Sequence, residues 1–204
     1  CKLPEIVALA KKYNAATMVD DAHGFGVLGE GGRGTAAYFG LTDEVDMIMG
    51  TFSKSLASLG GYLVASRKVV DYVKHNSRPF IFSASIPPAC CATATAALHV
   101  IKAHPELVTR LSDLAAYMRK GMKEAGIQIK EAKTPIIPFY TYDAIATLKR
   151  SMRLCEEGVY VNPVLPPATS PSECLLRISL MASHTEALLD EAIEIIRRVM
   201  AEEL

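Results

Sequence analysis

The stretch Ala15-Ala16-Thr17-Met18-Val19-Asp20-Asp21-Ala22-His23-Gly24 decides how the chain is read. A short apolar run ends in two acids and then gives way to glycines, which is the pattern of a buried parallel strand whose carboxyl end faces a crevice. Before it, Pro4 to Asn14 spaces Ile6, Val7, Leu9 and Ala10 as an amphipathic helix, with Lys11 and Lys12 in its last turn. After it, Asp46 to Phe52 and Gly61 to Ser66 read as two more strands. The connection between them is too short for a helical crossover, so this pair is expected to run antiparallel. The alternation of helix, strand, loop and strand is that of an α/β domain.

Farther along, Arg67 to Asn76 returns to helical spacing and Phe80 to Ser85 (FIFSAS) reads as a short strand. Pro87 and Pro88 stand where a helix would begin, and Ala89 to Lys102 follows at helical spacing. A second helix spans Pro105 to Ala125 and stops at Gly126. The pattern then changes. Ile127 to Lys130, Pro135 to Tyr140, Val159 to Val164 and Leu175 to Leu180 read as strands, with a helix over Asp143 to Glu157 and a last one from Thr185. Ser183 followed by Glu186 suggests a capping box for that last helix, whose apolar stripe suits packing on a small sheet. Residues 1–98 are therefore read as an α/β portion and residues 99–204 as a smaller α+β portion, joined by long helices.

Composition narrows the possible functions. The chain has 204 residues, 50% of them hydrophobic, enough to bury a core. Lys plus Arg and Asp plus Glu are both 22, so no basic excess exists to hold a nucleic-acid backbone. Apolar runs fall well short of the roughly 20 residues a bilayer span needs, and the N-terminus shows no export signal. The five cysteines, Cys1, Cys90, Cys91, Cys155 and Cys174, form no C-x-x-C pair. They are expected as buried, reduced thiols of a cytoplasmic protein, and no metal site is expected.

Three segments carry chemistry. The first, Asp20 to Gly29, contains a literal G-x-G-x-x-G at Gly24, Gly26 and Gly29. A dinucleotide fingerprint needs its third glycine to open a helix. Here Gly31, Gly32 and Gly34 follow at once, and each glycine in a helix costs about 1 kcal/mol relative to alanine. What remains is a pair of acids and His23 at a strand end, beside a loop that a ligand ring could approach closely. Either Asp20 or Asp21 could instead simply cap the loop. The second segment, Gly50-Thr51-Phe52-Ser53-Lys54-Ser55, sets a lysine among hydroxyls able to bind phosphate, ahead of Gly60-Gly61. Such an amine can act as a nucleophile and form a Schiff base with a carbonyl. The third, Leu175 to Leu180, puts a single cation, Arg177, in an apolar strand. It is either an arginine on an exposed strand face or a bidentate clamp for a carboxylate.

Together these residues resemble the α-oxoamine synthases, a family of fold-type I pyridoxal-phosphate enzymes. The resemblance rests on Asp20-Asp21-Ala22-His23-Gly24 with Gly26, Gly29 and Gly32-Arg33-Gly34, and on Gly50 to Ser55 with Gly60-Gly61-Tyr62. Phe82-Ser83-Ala84-Ser85 with Pro87-Pro88, and Leu176-Arg177-Ile178-Ser179 with His184, complete it in the family's order and spacing. Gly50 to Ser55 and Val161-Asn162-Pro163-Val164 are most similar to the bacterial serine palmitoyltransferase branch. Glycine C-acetyltransferase, 8-amino-7-oxononanoate synthase and aminolevulinate synthase are sibling branches.

The resemblance implies an α/β fold, part of a pyridoxal-phosphate-binding large domain followed by a small α+β domain. It implies that Lys54 binds pyridoxal 5'-phosphate as a Schiff base and later moves the Cα proton. Asp20 would pair with the pyridinium nitrogen, keeping the ring an electron sink. His23 would hydrogen-bond the phenolic oxygen, and Thr51 and Ser53 would help hold the phosphate. Ser83 and the Ala84 backbone would reach the phosphate of a neighbouring subunit in a homodimer, and Arg177 would bind the amino-acid carboxylate. The implied reaction condenses an amino acid, serine favoured, with an acyl-CoA, releasing carbon dioxide and CoA. The same fold also hosts aminotransferases and non-catalytic, subunit-like relatives. Family chains are about twice this long, so the sequence resembles a C-terminal half expected to be inactive alone. Leu165 stands before Pro166-Pro167 where some branches carry an arginine.

Overall fold

The computed structural model describes residues 1–203. They form two compact units, Cys1–Val108 and a second that starts at Thr109. The boundary read from the sequence, after residue 98, lies within a helix of the first unit.

The first unit opens with α1 (Leu3–Lys12), which has Pro4 and Glu5 in its first turn and Lys11 and Lys12 in its last. Those charges complement the helix dipole at both ends. Leu3 and Val7 bury its inner face with Ala36, against Val19, Leu41, Val45 and Ile48. The sheet has the order β1-β2-β3, with β1 (Met18–Asp20) parallel to β2 (Met47–Thr51) and β2 antiparallel to β3 (Gly61–Ala65). The short connection from β2 to β3 thus makes the expected antiparallel pair. A clasp sets the register of the parallel pair. The Asp46 carboxylate accepts from Thr17 N–H at 2.7 Å and from its hydroxyl at 3.0 Å, while Asp46 N–H donates back to that hydroxyl at 3.1 Å. These bonds hold the Asp46 carboxyl below the ordinary carboxylate range.

Two expectations for this unit fail. β1 is parallel but not buried: it is an edge strand, Met18 is 58% exposed, and Asp20 is exposed as well. Phe80 to Ser85 is not a strand. Pro79 sits in the first turn of a short helix, α4 (Arg78–Ile81), which follows α3 (Arg67–Asn76). The amides of Phe80, Ile81 and Phe82 donate to the carbonyls of Ser77 and Arg78, and no strand pairs with the extended residues that follow. Local helical hydrogen bonds, opened by a proline suited to a first turn, outweigh the β propensity of three large apolar side chains. Then come α5 (Pro88–Ala103), with Pro88 as its first residue, and α6 (Glu106–Glu124), along which the second unit begins.

The second unit is a three-stranded antiparallel sheet with helices. β4 (Ile136–Tyr142), α7 (Ala144–Glu156), β5 (Asn162–Val164), β6 (Cys174–Ser179) and α8 (Glu186–Ala201) follow in order, with β6 central in the sheet. Met118, Met122, Ile137, Phe139, Leu154, Leu176, Ile196 and Val199 are among its fully buried apolar side chains. Expected strand Ile127 to Lys130 reduces to one bridge between Ile129 and Phe139. The cap of α8 is Thr185 rather than Ser183: its hydroxyl accepts from Leu188 N–H at 3.3 Å. Asp143 caps α7 in the same way, from Ala146 N–H at 2.8 Å. The thiols also depart from expectation, since Cys174 alone among the five is buried and Cys1, Cys91 and Cys155 are exposed. Among the described residues no helix is long and apolar enough to cross a membrane.

Candidate active site

Parallel pairing of β1 and β2 brings two chemistry-bearing loops to one edge of the sheet. Asp20 pairs with Met49, and the next residue continues the ladder, Asp21 N–H donating to Met49 carbonyl at 2.7 Å. The loop holding His23 therefore leaves β1 at the edge where Thr51, Ser53 and Lys54 leave β2. Strands in a sheet lie about 4.8 Å apart, so the two loops rise side by side. Asp20 and Lys54 are both exposed at this edge. Asp20 Oδ1 accepts from Ala22 N–H at 3.0 Å, and the Lys54 ammonium makes no hydrogen bond or ion pair among the described residues.

The two adjacent acids have separated. Asp21 is 2% exposed, and its Oδ2 accepts from Thr35 N–H at 2.9 Å, at the start of α2 (Thr35–Tyr38). Its Oδ1 is buried without a hydrogen-bond partner. Gly24 and Gly34 line this carboxylate so closely that a Cβ on either would collide with its oxygens. The loop between them is pinned by backbone bonds, Gly26 N–H to Gly32 carbonyl and Gly34 N–H to Leu28 carbonyl, each 2.7 Å. Asp21 is thus the acid that caps the loop. Asp21 lies one residue past β1, where its N–H still continues the ladder, and the alternation carried on from Asp20 turns it to the other side.

The lysine loop is held from below. Thr51 and Ser53 hydroxyls share a hydrogen bond of 2.8 Å, Ser53 N–H donates to Thr51 Oγ1 at 3.1 Å, and Phe52 N–H donates to Gly60 carbonyl at 2.8 Å. Lys54 carbonyl closes a turn onto Ala57 N–H at 3.0 Å. Beneath the loop, Tyr62 stands between Phe25, edge-on at 5.5 Å, and Phe52, stacked at 6.1 Å. Burial pushes the Tyr62 phenol up, and the charge of Asp21 adds to it. Tyr62 reaches this place through the β2–β3 register, which pairs it with Gly50, so nothing in its local sequence marks it as the wall between the two loops.

Ser83 and Ala84 lie exposed on the connection between α4 and α5, where Ser83 Oγ donates to Pro79 carbonyl. The continuation of that connection meets the lysine loop, since Ser58 Oγ donates to Cys90 carbonyl at 2.7 Å. Arg177 belongs to the second unit. It is half-buried in β6, paired with Pro138 of β4 and Asn162 of β5, and its Nε is buried without a partner. It is therefore not an arginine on an exposed strand face.

Comparison with known proteins gives this geometry a lineage. The family model for aminotransferase class I and II matches residues 1–196. The chain belongs to the aminotransferase class I and II family. A serine palmitoyltransferase of Bacteroides ovatus is 50% identical over 192 residues, 94% of this chain and 49% of its own length. An 8-amino-7-oxononanoate synthase of Alkaliphilus oremlandii is 43% identical over 197 residues, 97% of this chain and 50% of the relative. Among solved structures, a serine palmitoyltransferase from S. paucimobilis with bound PLP-myriocin aldimine superposes with a TM-score of 0.92 at 34% identity, over 98% of this chain and 50% of that one. The chain thus spans about half the length of the curated relatives it matches, and its mixed α/β architecture is part of the family fold.

Proposed function

We propose that this chain is half of a pyridoxal-phosphate-dependent acyltransferase of the serine palmitoyltransferase type, condensing an amino acid with an acyl-CoA. The observation that carries the reading is the exposed Lys54 in the loop after β2, the parallel neighbour of β1, which itself ends at the exposed Asp20. The donor set suits pyridoxal phosphate. It has an amine for the carbonyl, an acid for the ring nitrogen, and two hydroxyls, Thr51 and Ser53, already hydrogen-bonded to each other, for the phosphate. When bound, pyridoxal phosphate supplies a carbonyl that takes up amines and a ring that accepts the electron pair left at Cα.

Around that group the chain's own residues have distinct tasks. Lys54 holds the cofactor covalently in the resting state and then carries the proton removed from Cα. Asp20 keeps the ring nitrogen protonated, and His23 hydrogen-bonds the phenolic oxygen. Ser83 and the Ala84 N–H reach the phosphate bound by a second copy, so the working unit is a homodimer. Support for a partner there comes from Phe80, Ile81 and Phe82, exposed by 61%, 48% and 79% beside them. Arg177 takes the carboxylate of the amino acid until it leaves as carbon dioxide. Products are an α-amino ketone and free CoA, and the enzyme works in the cytoplasm.

The test is borohydride reduction of the full-length protein containing this chain, saturated with pyridoxal phosphate, followed by peptide mapping. Label on Lys54, lost in Lys54→Ala, is expected. CoA release with L-serine and palmitoyl-CoA separates the acyltransferase from an aminotransferase of the same fold. Absence of label from a folded protein that binds the cofactor would overturn the reading.

A further inference from the structure

One face of the second unit's sheet carries a cation with no acid to balance it. In β6, Leu175, Arg177 and Ser179 point away from the core that Leu176 and Ile178 enter. Antiparallel register puts Pro138 of β4 directly opposite Arg177 on one side and Asn162 of β5 on the other. The same face continues with Tyr140 and Val164, each paired with Leu175. Among the described residues no Asp or Glu lies on it. Arg177 makes no ion pair among the described residues, and its Nε is buried and unpartnered. That buried Nε is a strong donor left unmet, and an anion on this face would supply its acceptor.

Asn162 is built to share that anion. Directly opposed residues of an antiparallel pair have their Cβ atoms roughly 4.5–5.5 Å apart, so the amide and the guanidinium rise from neighbouring positions on one face of the sheet. Its Nδ2 donates one hydrogen to the Tyr160 hydroxyl at 3.4 Å, which orients the amide and leaves the second hydrogen free. β5 is an edge strand, where Pro163 sits without costing a ladder bond, so the position of Asn162 is fixed by backbone pairing. A carboxylate offers about four lone-pair sites, and a bidentate arginine uses two of them. A third N–H has a place on one oxygen.

We propose that Asn162 is a substrate-binding residue that completes a carboxylate site with Arg177, selecting α-amino acids over amines that lack the carboxylate. This rests on the reading of Arg177 given above. The experiment uses the full-length enzyme containing this chain, loaded with pyridoxal phosphate. Equilibrium binding of L-serine is read from the cofactor absorbance and compared with serinol, which has no carboxylate. Asn162→Ala should weaken L-serine about 10-fold, the range of one hydrogen bond to a charged group, and leave serinol unchanged. Asn162→Asp should weaken L-serine further, because the new carboxylate pairs with Arg177 in the ligand's place. Arg177→Ala should also weaken L-serine selectively. Unchanged L-serine affinity in Asn162→Ala, or an equal loss for both ligands, overturns the role of Asn162. If Arg177→Ala leaves L-serine binding intact, the carboxylate reading of Arg177 fails and takes this inference with it. If Arg177→Ala is selective and Asn162→Ala is silent, only the inference fails.

Discussion

Replacing Gly50 by alanine tests whether Tyr62 braces the lysine loop. Gly50 pairs with Tyr62 across β2 and β3, and an added Cβ would lie 2.5 Å from the ring's Cζ and hydroxyl oxygen and 2.6 Å from Cε1. A ring cannot fold away as a flexible side chain does. It is also held by Phe25 and Phe52, so either that aromatic stack opens or β2 shifts, taking Thr51 with it. Overpacking of this kind costs about 1–3 kcal/mol. Against it, alanine gains about 0.5–1 kcal/mol over glycine in backbone entropy within a strand. The net loss is then about 0–2.5 kcal/mol, centred near 1 kcal/mol, or roughly 2–4 °C in Tm at that centre for a chain of this size. With eight tyrosines and no tryptophan, tyrosine fluorescence together with circular dichroism follows the melt. Removing the ring supplies the control: Gly50→Ala in a Tyr62→Ala background should cost little or nothing. An equal loss in both backgrounds, or none in the wild-type background, would refute the argument.

Asp46 makes stability depend on pH at the acid end. Its carboxyl is held below the ordinary value of 3.8, chiefly by Thr17 N–H, so its contribution is complete above that value and is lost as pH falls through the lowered one. Urea midpoints measured from pH 6 to pH 2 should therefore fall less steeply in Asp46→Asn than in wild type, and parallel curves would count against the clasp. Thr185→Ala should destabilise by about 1 kcal/mol through loss of the α8 cap, whereas Ser183→Ala should be silent. The reverse order would restore the capping box.

How much could be read in advance depended on whether a segment's fate was decided locally. Helices whose ends carry their own signals fell within a residue or two of expectation: α7 between Asp143 and Gly158, α6 stopping before Gly126, and α5 starting at Pro88. The antiparallel β2–β3 pair followed from loop length alone. Errors came where a distant partner decides. Phe80 to Ser85 has strand composition but no strand to pair with, and Ile127 to Lys130 meets β4 at a single bridge. Thr185 and Ser183 both precede an acceptable first turn, and only backbone geometry chooses between them. For the proposed site, residue type and spacing single out Asp20, His23, Thr51, Ser53 and Lys54 as candidates, whereas the packing of Asp21 under Thr35 N–H and of Tyr62 across from Gly50 has no local signal. Support depends on what lies across the sheet, and that information sits dozens of residues away.

The pair Asp20-Asp21 shows why composition alone could not assign roles. Two carboxylates one residue apart share almost every sequence property, yet a strand must send them to opposite sides. On one side of the chain at this point Asp20 is exposed to solvent. On the other, Asp21 is walled in by Gly24, Gly34 and Thr35. A buried carboxylate persists only if neighbouring groups donate to it, and Thr35 N–H does so. The surrounding residues must then have no Cβ in the way, which accounts for glycine at 24 and 34 without invoking a ligand approaching the backbone. A glycine-rich loop after a strand suggests room for a ligand ring. At those two positions it is room for the protein's own carboxylate, which fills the space beside the loop that carries His23.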